Sequence, residues 1–209
     1  MTQHRVRIKM CGMTREQDIA HAIALGADAI GLIFYPKSSR HVSVAQAKKL
    51  LRELPVFVDV VAVMVNPMSS SVDEIVNELP IQWLQFHGEE SPEFCNQFKK
   101  PYIKAIQAAS TEAIRQNYAF YSQAAAFLLD TPSASHHGGT GKIFDWDLIP
   151  SNPNKPLILA GGLNADNVNE AVKRCSPYAV DVSSGIEASA GIKDHEKMSR
   201  FVKALWGKE

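Results

Sequence analysis

Short apolar runs alternate along this chain with amphipathic stretches of helix length, and the alternation persists to its end. The first run, residues 6–10, ends in the thiol of Cys11 and turns through Gly12 into a predicted helix over residues 15–25. Thr14 with Gln17 three residues on has the capping-box pattern for that helix, and Gly26 is placed to stop it. The second run, 28–34, leads through a Ser-Ser-Arg-His stretch to a helix opened by Ser43, with Gln46 at the capping-box position. Run 57–65, with Phe57 counted in the core, precedes a helix opened by Ser71 and Glu74. Run 81–86 is followed by His87-Gly88 and a helix that begins Ser91-Pro92-Glu93, with Pro where a missing N–H costs nothing. Run 102–106 precedes a helix over 111–121. Run 125–129 ends at Asp130, ahead of a long Ser/His/Gly loop and a short turn over 144–149. Run 156–160 precedes a helix capped by Asn164, and run 179–182 precedes a closing helix over 194–206.

Strands alternating with helices imply βαβ units and a parallel sheet. Two architectures accept eight such units, a closed (β/α)8 barrel and an open doubly wound sheet. The open dinucleotide-binding sheet carries GxGxxG after its first strand, where this chain reads Cys-Gly-Met-Thr-Arg-Glu. The expectation is therefore an α/β chain forming one compact (β/α)8 TIM barrel with trimmed loops over residues 1–209. No linker or low-complexity segment divides it.

Composition narrows the class without changing the fold. The chain is 45% hydrophobic and 21% charged, ordinary for a globular protein with a sizeable core. Twenty-two basic and 22 acidic residues cancel, which lowers the expectation of a nucleic-acid partner. No apolar run approaches a membrane span, and residues 1–6 do not resemble a signal peptide. Three cysteines without a CxxC pair suit a reducing, cytoplasmic setting and argue against a disulfide framework or a thiolate zinc site.

In such a barrel the site lies at the carboxyl ends of the strands. Read in order, those ends offer Cys11, Arg40, Asn66, His87, Lys104 or Gln107, Asp130, Gly161-Gly162, and Asp181-Val182-Ser183-Ser184-Gly185. The turns at Gly161-Gly162 and Ser183–Ser184–Gly185 follow the seventh and eighth strands, where barrels bind phosphate through backbone N–H groups. Each residue also has a plainer reading. Cys11 reads as a small buried hydrophobe, Asp130 as a turn residue, Arg40 as a solvated cation and His87 as a structural histidine. Cys95 and Cys175 fall within predicted helices and read as structural. The Gly-rich run from His136 to Lys142 lacks the spacing of a P-loop, and its paired histidines lack a third metal ligand. It reads as a mobile lid carrying Gly139 and Gly141.

The motifs together resemble the phosphoribosylanthranilate isomerase family of tryptophan biosynthesis. They are Ile8-Lys9-Met10-Cys11-Gly12, Gly26-Ala27-Asp28-Ala29-Ile30-Gly31, Gln85-Phe86-His87-Gly88, Leu128-Leu129-Asp130 and Gly138-Gly139-Thr140-Gly141. Leu159-Ala160-Gly161-Gly162-Leu163, Asp181-Val182-Ser183-Ser184-Gly185 and Gly191-Ile192-Lys193-Asp194 extend the likeness over nearly the whole chain. The resemblance implies an Amadori rearrangement of a phosphosugar-anthranilate substrate, with no metal or redox cofactor, no nucleic-acid or membrane partner, and a monomer or homodimer. It implies Cys11 as general base and Asp130 as general acid. Arg40 would bind the anthranilate carboxylate, Asp181 the sugar hydroxyls, and Gly161, Gly162, Ser183, Ser184 and Gly185 the phosphate. His87 would line the site with no assigned step.

A free thiol titrates near about 8.5 and a carboxylic acid near about 4, so each is mostly in the wrong form at neutrality. The expectation is that Lys9 or a helix N-terminus lowers the first and partial burial raises the second. Two rival functions are weighed against this one. A related isomerase for another aminoaldose phosphate would more naturally use two carboxylates, and a non-catalytic phosphosugar-binding barrel would need neither Cys11 nor Asp130.

Overall fold

Strands apolar on both faces close on themselves in this protein, and the helices between them cover the outside. The computed structural model describes residues 5–132, 144–151 and 153–207. In chain order the first half is β1 (Arg7–Cys11), α1 (Glu16–Ala24), β2 (Ala29–Ile33), α2 (Val44–Leu50), β3 (Asp59–Met64), α3 (Ser69–Glu78), β4 (Trp83–Phe86) and α4 (Pro92–Asn96). The second half is β5 (Tyr102–Gln107), α5 (Thr111–Phe120), β6 (Ala126–Asp130), β7 (Leu157–Leu159), α6 (Val168–Cys175), β8 (Ala179–Val182), β9 (Glu187–Ser189), β10 (Ile192–Lys193) and α7 (His195–Trp206). β1 to β8 form a closed parallel barrel in sequence order, and β9 and β10 a separate antiparallel hairpin. The compact (β/α)8 expectation is met. Between β6 and β7 the described residues hold only a 3₁₀ turn at Trp146–Leu148.

Two apolar layers follow from the period-2 alternation of side chains. Ile8, Met10, Ile30, Leu84, Phe86 and Phe127 face outward and pack under the helices. Cys11, Val61, Val63, Ile103, Ala105, Leu128, Ile158 and Ala160 face inward and fill the barrel. Lys9 and Asp181 also lie inside, joined across the β1–β8 seam where their Cα atoms are in register.

Local signals set most helix starts. Ser43 and Gln46 form the capping box expected for α2, and Ser91 accepts from the Phe94 N–H ahead of Pro92. Asp194 accepts from Glu196 and Lys197 at the start of α7. Other starts differ from expectation. The Thr14 hydroxyl donates to the Gly191 carbonyl instead of capping, and α1 begins after Arg15 with no side-chain cap. α3 begins at Ser69, directly behind Pro67-Met68 and ahead of Ser71. Asn164 caps no helix: its side chain accepts from the Asp166 N–H at 2.8 Å, and its own N–H donates to the Asn167 side chain at 2.9 Å. These local bonds compete with helix geometry and delay α6 to Val168. Phe57 is not core; it is 98% exposed with a left-handed φ of 68°.

Candidate active site

Strand alternation decides which groups reach the barrel mouth. β1 turns Lys9 and Cys11 inward, β4 turns Gln85 inward, and β6 delivers Asp130 as its last residue. A cavity of about 430 Å³ opens there, lined by Cys11, Arg40, His87, Asp130, Gly161, Gly162, Asp181, Ser183 and Ser184. Nine of the expected site residues thus share one space. Gly185 is not in its wall, and Gly139 and Gly141 lie outside the described residues. Lys104 faces outward, where its ammonium donates to the Phe86 and Gly88 carbonyls and to Glu90 at 3.0 Å. It organises the loop after β4 instead of serving the mouth.

The thiol sits where glycine makes room. A Cβ on Gly31, the register partner of Cys11, would come within 2.6 Å of the sulfur. Gly12 follows at a φ of 74°, and a Cβ there would meet the Arg40 side chain at 2.6 Å. That turn therefore demands glycine twice, for its left-handed backbone and for the passage of Arg40 across the strand end.

Burial pushes the Cys11 thiol up, against the pull of Lys9 and Lys193. This is opposite to the expected lowering. Lys9 is close enough to act on the sulfur, but it is held at 2.9 Å by Asp181, and the loss of water outweighs its charge. The Lys9–Asp181 pair is itself buried, its side chains 4% and 9% exposed.

Asp130 is fixed by two groups. Its Oδ1 accepts from the Thr131 N–H at 2.8 Å, and its Oδ2 lies 3.3 Å from His87 Nε2. The Gln85 side-chain nitrogen lies 3.0 Å from His87 Nδ1. With Nδ1 accepting that N–H, the ring proton sits on Nε2, the nitrogen nearer Asp130. His87 thus stands between Gln85 and the Asp130 carboxyl at the cavity wall.

Arg40 is bound along one edge by Glu187, with Nε at 2.8 Å and Nη2 at 2.6 Å from its oxygens. Lys193 reaches the same carboxylate at 2.8 Å and the Ser183 carbonyl at 3.2 Å. Sequence gives Glu187 no sign of a place in the site, and it shows Lys193 and Gln85 only as members of the family motifs. The hairpin β9–β10 is too short to show a period, though alternation around Gly191 is its one available sign. The turn at Ser184–Ile186 packs against the one after β7, since a Cβ on Gly185 would overlap the Leu163 carbonyl oxygen. Among the described residues no acceptor takes the backbone N–H of Gly161 or Gly162. Among the described residues no group of three His, Cys, Asp or Glu side chains could hold a metal ion.

A closed parallel barrel with a thiol and a carboxyl at its strand ends, facing glycine turns after the last two strands, defines a (β/α)8-barrel enzyme. The profile of the family described as N-(5'phosphoribosyl)anthranilate (PRA) isomerase matches residues 8–204. The N-(5'-phosphoribosyl)anthranilate isomerase of Legionella pneumophila (strain Paris) is 60% identical over 99% of this chain and 100% of its own. Phosphoribosyl anthranilate isomerase from Thermotoga maritima superimposes with a TM-score of 0.90 at 38% identity, covering 97% of this chain and 100% of that one. Two further structures of such isomerases, each with a TM-score of 0.83 and 34% identity, cover 97% of this chain and 100% of their own. One is a complex with reduced 1-(o-carboxyphenylamino)-1-deoxyribulose 5-phosphate, and the other consists of monomers generated from the dimeric Thermotoga maritima protein. The chain belongs to the N-(5'-phosphoribosyl)anthranilate isomerase family, and it is an isomerase of tryptophan biosynthesis.

Proposed function

We propose that this chain, acting as one catalytic domain over residues 1–209, performs the Amadori rearrangement with Asp130 as general acid and Cys11 as general base. The observation that carries the assignment is that both groups line one cavity from different strands, β6 and β1. Asp130 protonates the furanose ring oxygen, and the ring C–O bond breaks to leave an iminium ion. The Cys11 thiolate then takes the proton from C2′, and the freed electron pair gives an enolamine that tautomerises to the 1-amino-2-ketose. The positive charge of the iminium acidifies C2′–H, so a thiolate is base enough.

The remaining cavity wall supports the substrate's two anionic ends. Arg40 presents a guanidinium for the anthranilate carboxylate. The Gly161-Gly162 turn offers N–H groups that no described residue accepts from, and the Ser183–Ser184 turn stands beside it, a suitable arrangement for phosphate. Asp181, in the same wall, is placed to accept from a sugar hydroxyl while keeping Lys9 in its pair. The complex of a family member with a reduced product supports this choice of substrate. We further infer cytoplasmic operation, supported by three free cysteines, and assembly as a homodimer. The dimer is supported by a relative described as dimeric and by exposed Val56 and Phe57 at the barrel end away from the site.

Purified protein is expected to convert phosphoribosylanthranilate, followed as loss of the anthranilate amine's fluorescence, at a rate unchanged by chelator. Cys11→Ala and Asp130→Asn should each cost at least about 10²-fold in turnover. Wild-type turnover by either variant overturns the assignment.

A further inference from the structure

Glu187 and Lys193 take no part in the chemistry above, yet both are buried, at 7% and 2% exposure. The Glu187 carboxylate gathers four donors. These are Arg40 Nε at 2.8 Å and Nη2 at 2.6 Å, the Lys193 ammonium at 2.8 Å, and the Gly191 N–H at 3.3 Å. A guanidinium offers two edges for a bidentate carboxylate, a side edge through Nε and Nη2 and an end edge through Nη1 and Nη2. Glu187 fills the side edge, and among the described residues nothing accepts from Nη1.

We propose that Glu187 is a positioning residue that determines specificity for a carboxylate on the substrate's aryl group. It holds Arg40 so that the end edge alone is offered to the cavity. The inference rests on the isomerase reading. One carboxylate against two cations leaves a single positive charge at this wall, which matches one carboxylate on the ligand. Lys193 extends the arrangement, because it also bonds the Ser183 carbonyl in the turn assigned to phosphate. The two anion sites are therefore built on a shared carboxylate, and their separation is fixed before substrate arrives. Preorganisation matters here because a free arginine must give up much rotamer freedom on binding.

The test compares two ligands on folded protein by calorimetry. One is reduced 1-(o-carboxyphenylamino)-1-deoxyribulose 5-phosphate; the other is its phenylamino counterpart without the carboxyl. Glu187→Gln should weaken the first about 10- to 100-fold, as expected for a misaligned charge-assisted bond, and the second less than about 2-fold. Equal weakening of both ligands, or of neither, overturns the proposal. Glu187→Asp serves as the second variant if Glu187→Gln does not fold. It keeps the charge but withdraws from the side edge, and the same carboxylate-selective loss is expected. A wild-type chain that turns over phosphoribosylanthranilate while Glu187→Gln shows no selectivity defeats this inference alone. A wild-type chain that neither turns it over nor binds either ligand defeats the isomerase reading as well.

Discussion

As the proposed base, Cys11 sits in surroundings that mostly oppose its working form. Burial raises the thiol, Asp181 adds to the rise, and Lys9 and Lys193 pull it back. If the thiolate is the active form, as proposed, the raised thiol means that kcat/KM should rise with pH from neutrality into the alkaline range. Lys9→Met removes the largest charge that lowers the thiol and leaves Asp181 unpaired, and both changes raise it further. The ascending limb of the pH–rate profile should therefore move to higher pH, and an unmoved limb would show that Lys9 does not act on the sulfur. Part of this was legible in the chain and part was not. The apolar runs of β1 and β6 place Cys11 and Asp130 at strand ends without any tertiary information. The sign of the thiol's shift depends on Lys9 being claimed by Asp181, a partner 172 residues away. No local reading reaches that far.

At the scale of elements, helix starts were legible where the capping side chain has no better partner. Ser43, Ser91 and Asp194 cap as their spacing suggests, whereas Thr14 and Asn164 are drawn into other bonds. The first of these diversions belongs to a larger join. Asp18 of α1 is fully buried and accepts from Arg15 at 2.7 and 2.8 Å, from the Lys193 N–H at 3.1 Å and from His195 at 3.0 Å. It ties α1 to β10 and α7, the segment that carries Lys193. Burial works to raise this carboxyl, but the donors outweigh it and hold it below the usual range. A carboxyl depressed in the folded state adds stability that is complete above its unfolded pKa and fades as pH falls through the folded one. Asp18→Asn should therefore cost about 2–4 kcal/mol near neutrality. In urea melts that cost should shrink below about pH 4; a cost independent of pH would refute the ionic part of the account.

For the whole molecule, the barrel was legible because strand-length apolar runs alternate with helix-length stretches along the chain. The far end of the barrel was not, since Phe57 reads as core by hydropathy and stands 98% exposed. A left-handed Phe costs about 1–2 kcal/mol of backbone strain, which the surrounding fold must sustain. A second copy covering Val56 and Phe57 would recover apolar area that solvent otherwise holds. Phe57→Gly should shift sedimentation from dimer to monomer while leaving kcat/KM within about 2-fold, since the site lies at the opposite end of the strands. A monomeric wild type in the same experiment would exclude the dimer.

The proposed placement of acid and base on β6 and β1 has a consequence for the hydrogen atoms themselves. Around the closed sheet those strands are separated by β7 and β8, so acid and base are two separate groups on the cavity wall. The hydrogen that leaves C2′ is then not the one delivered to the ring oxygen, and no label is handed from one position to the other inside the substrate. Before the next turnover Cys11 must give up the hydrogen it took and Asp130 must regain one, either through water or through the protons that the enolamine loses at oxygen and gains at C1′ as it becomes the ketone. The isomerisation conserves hydrogen overall, yet both groups have to be reset before the next substrate enters.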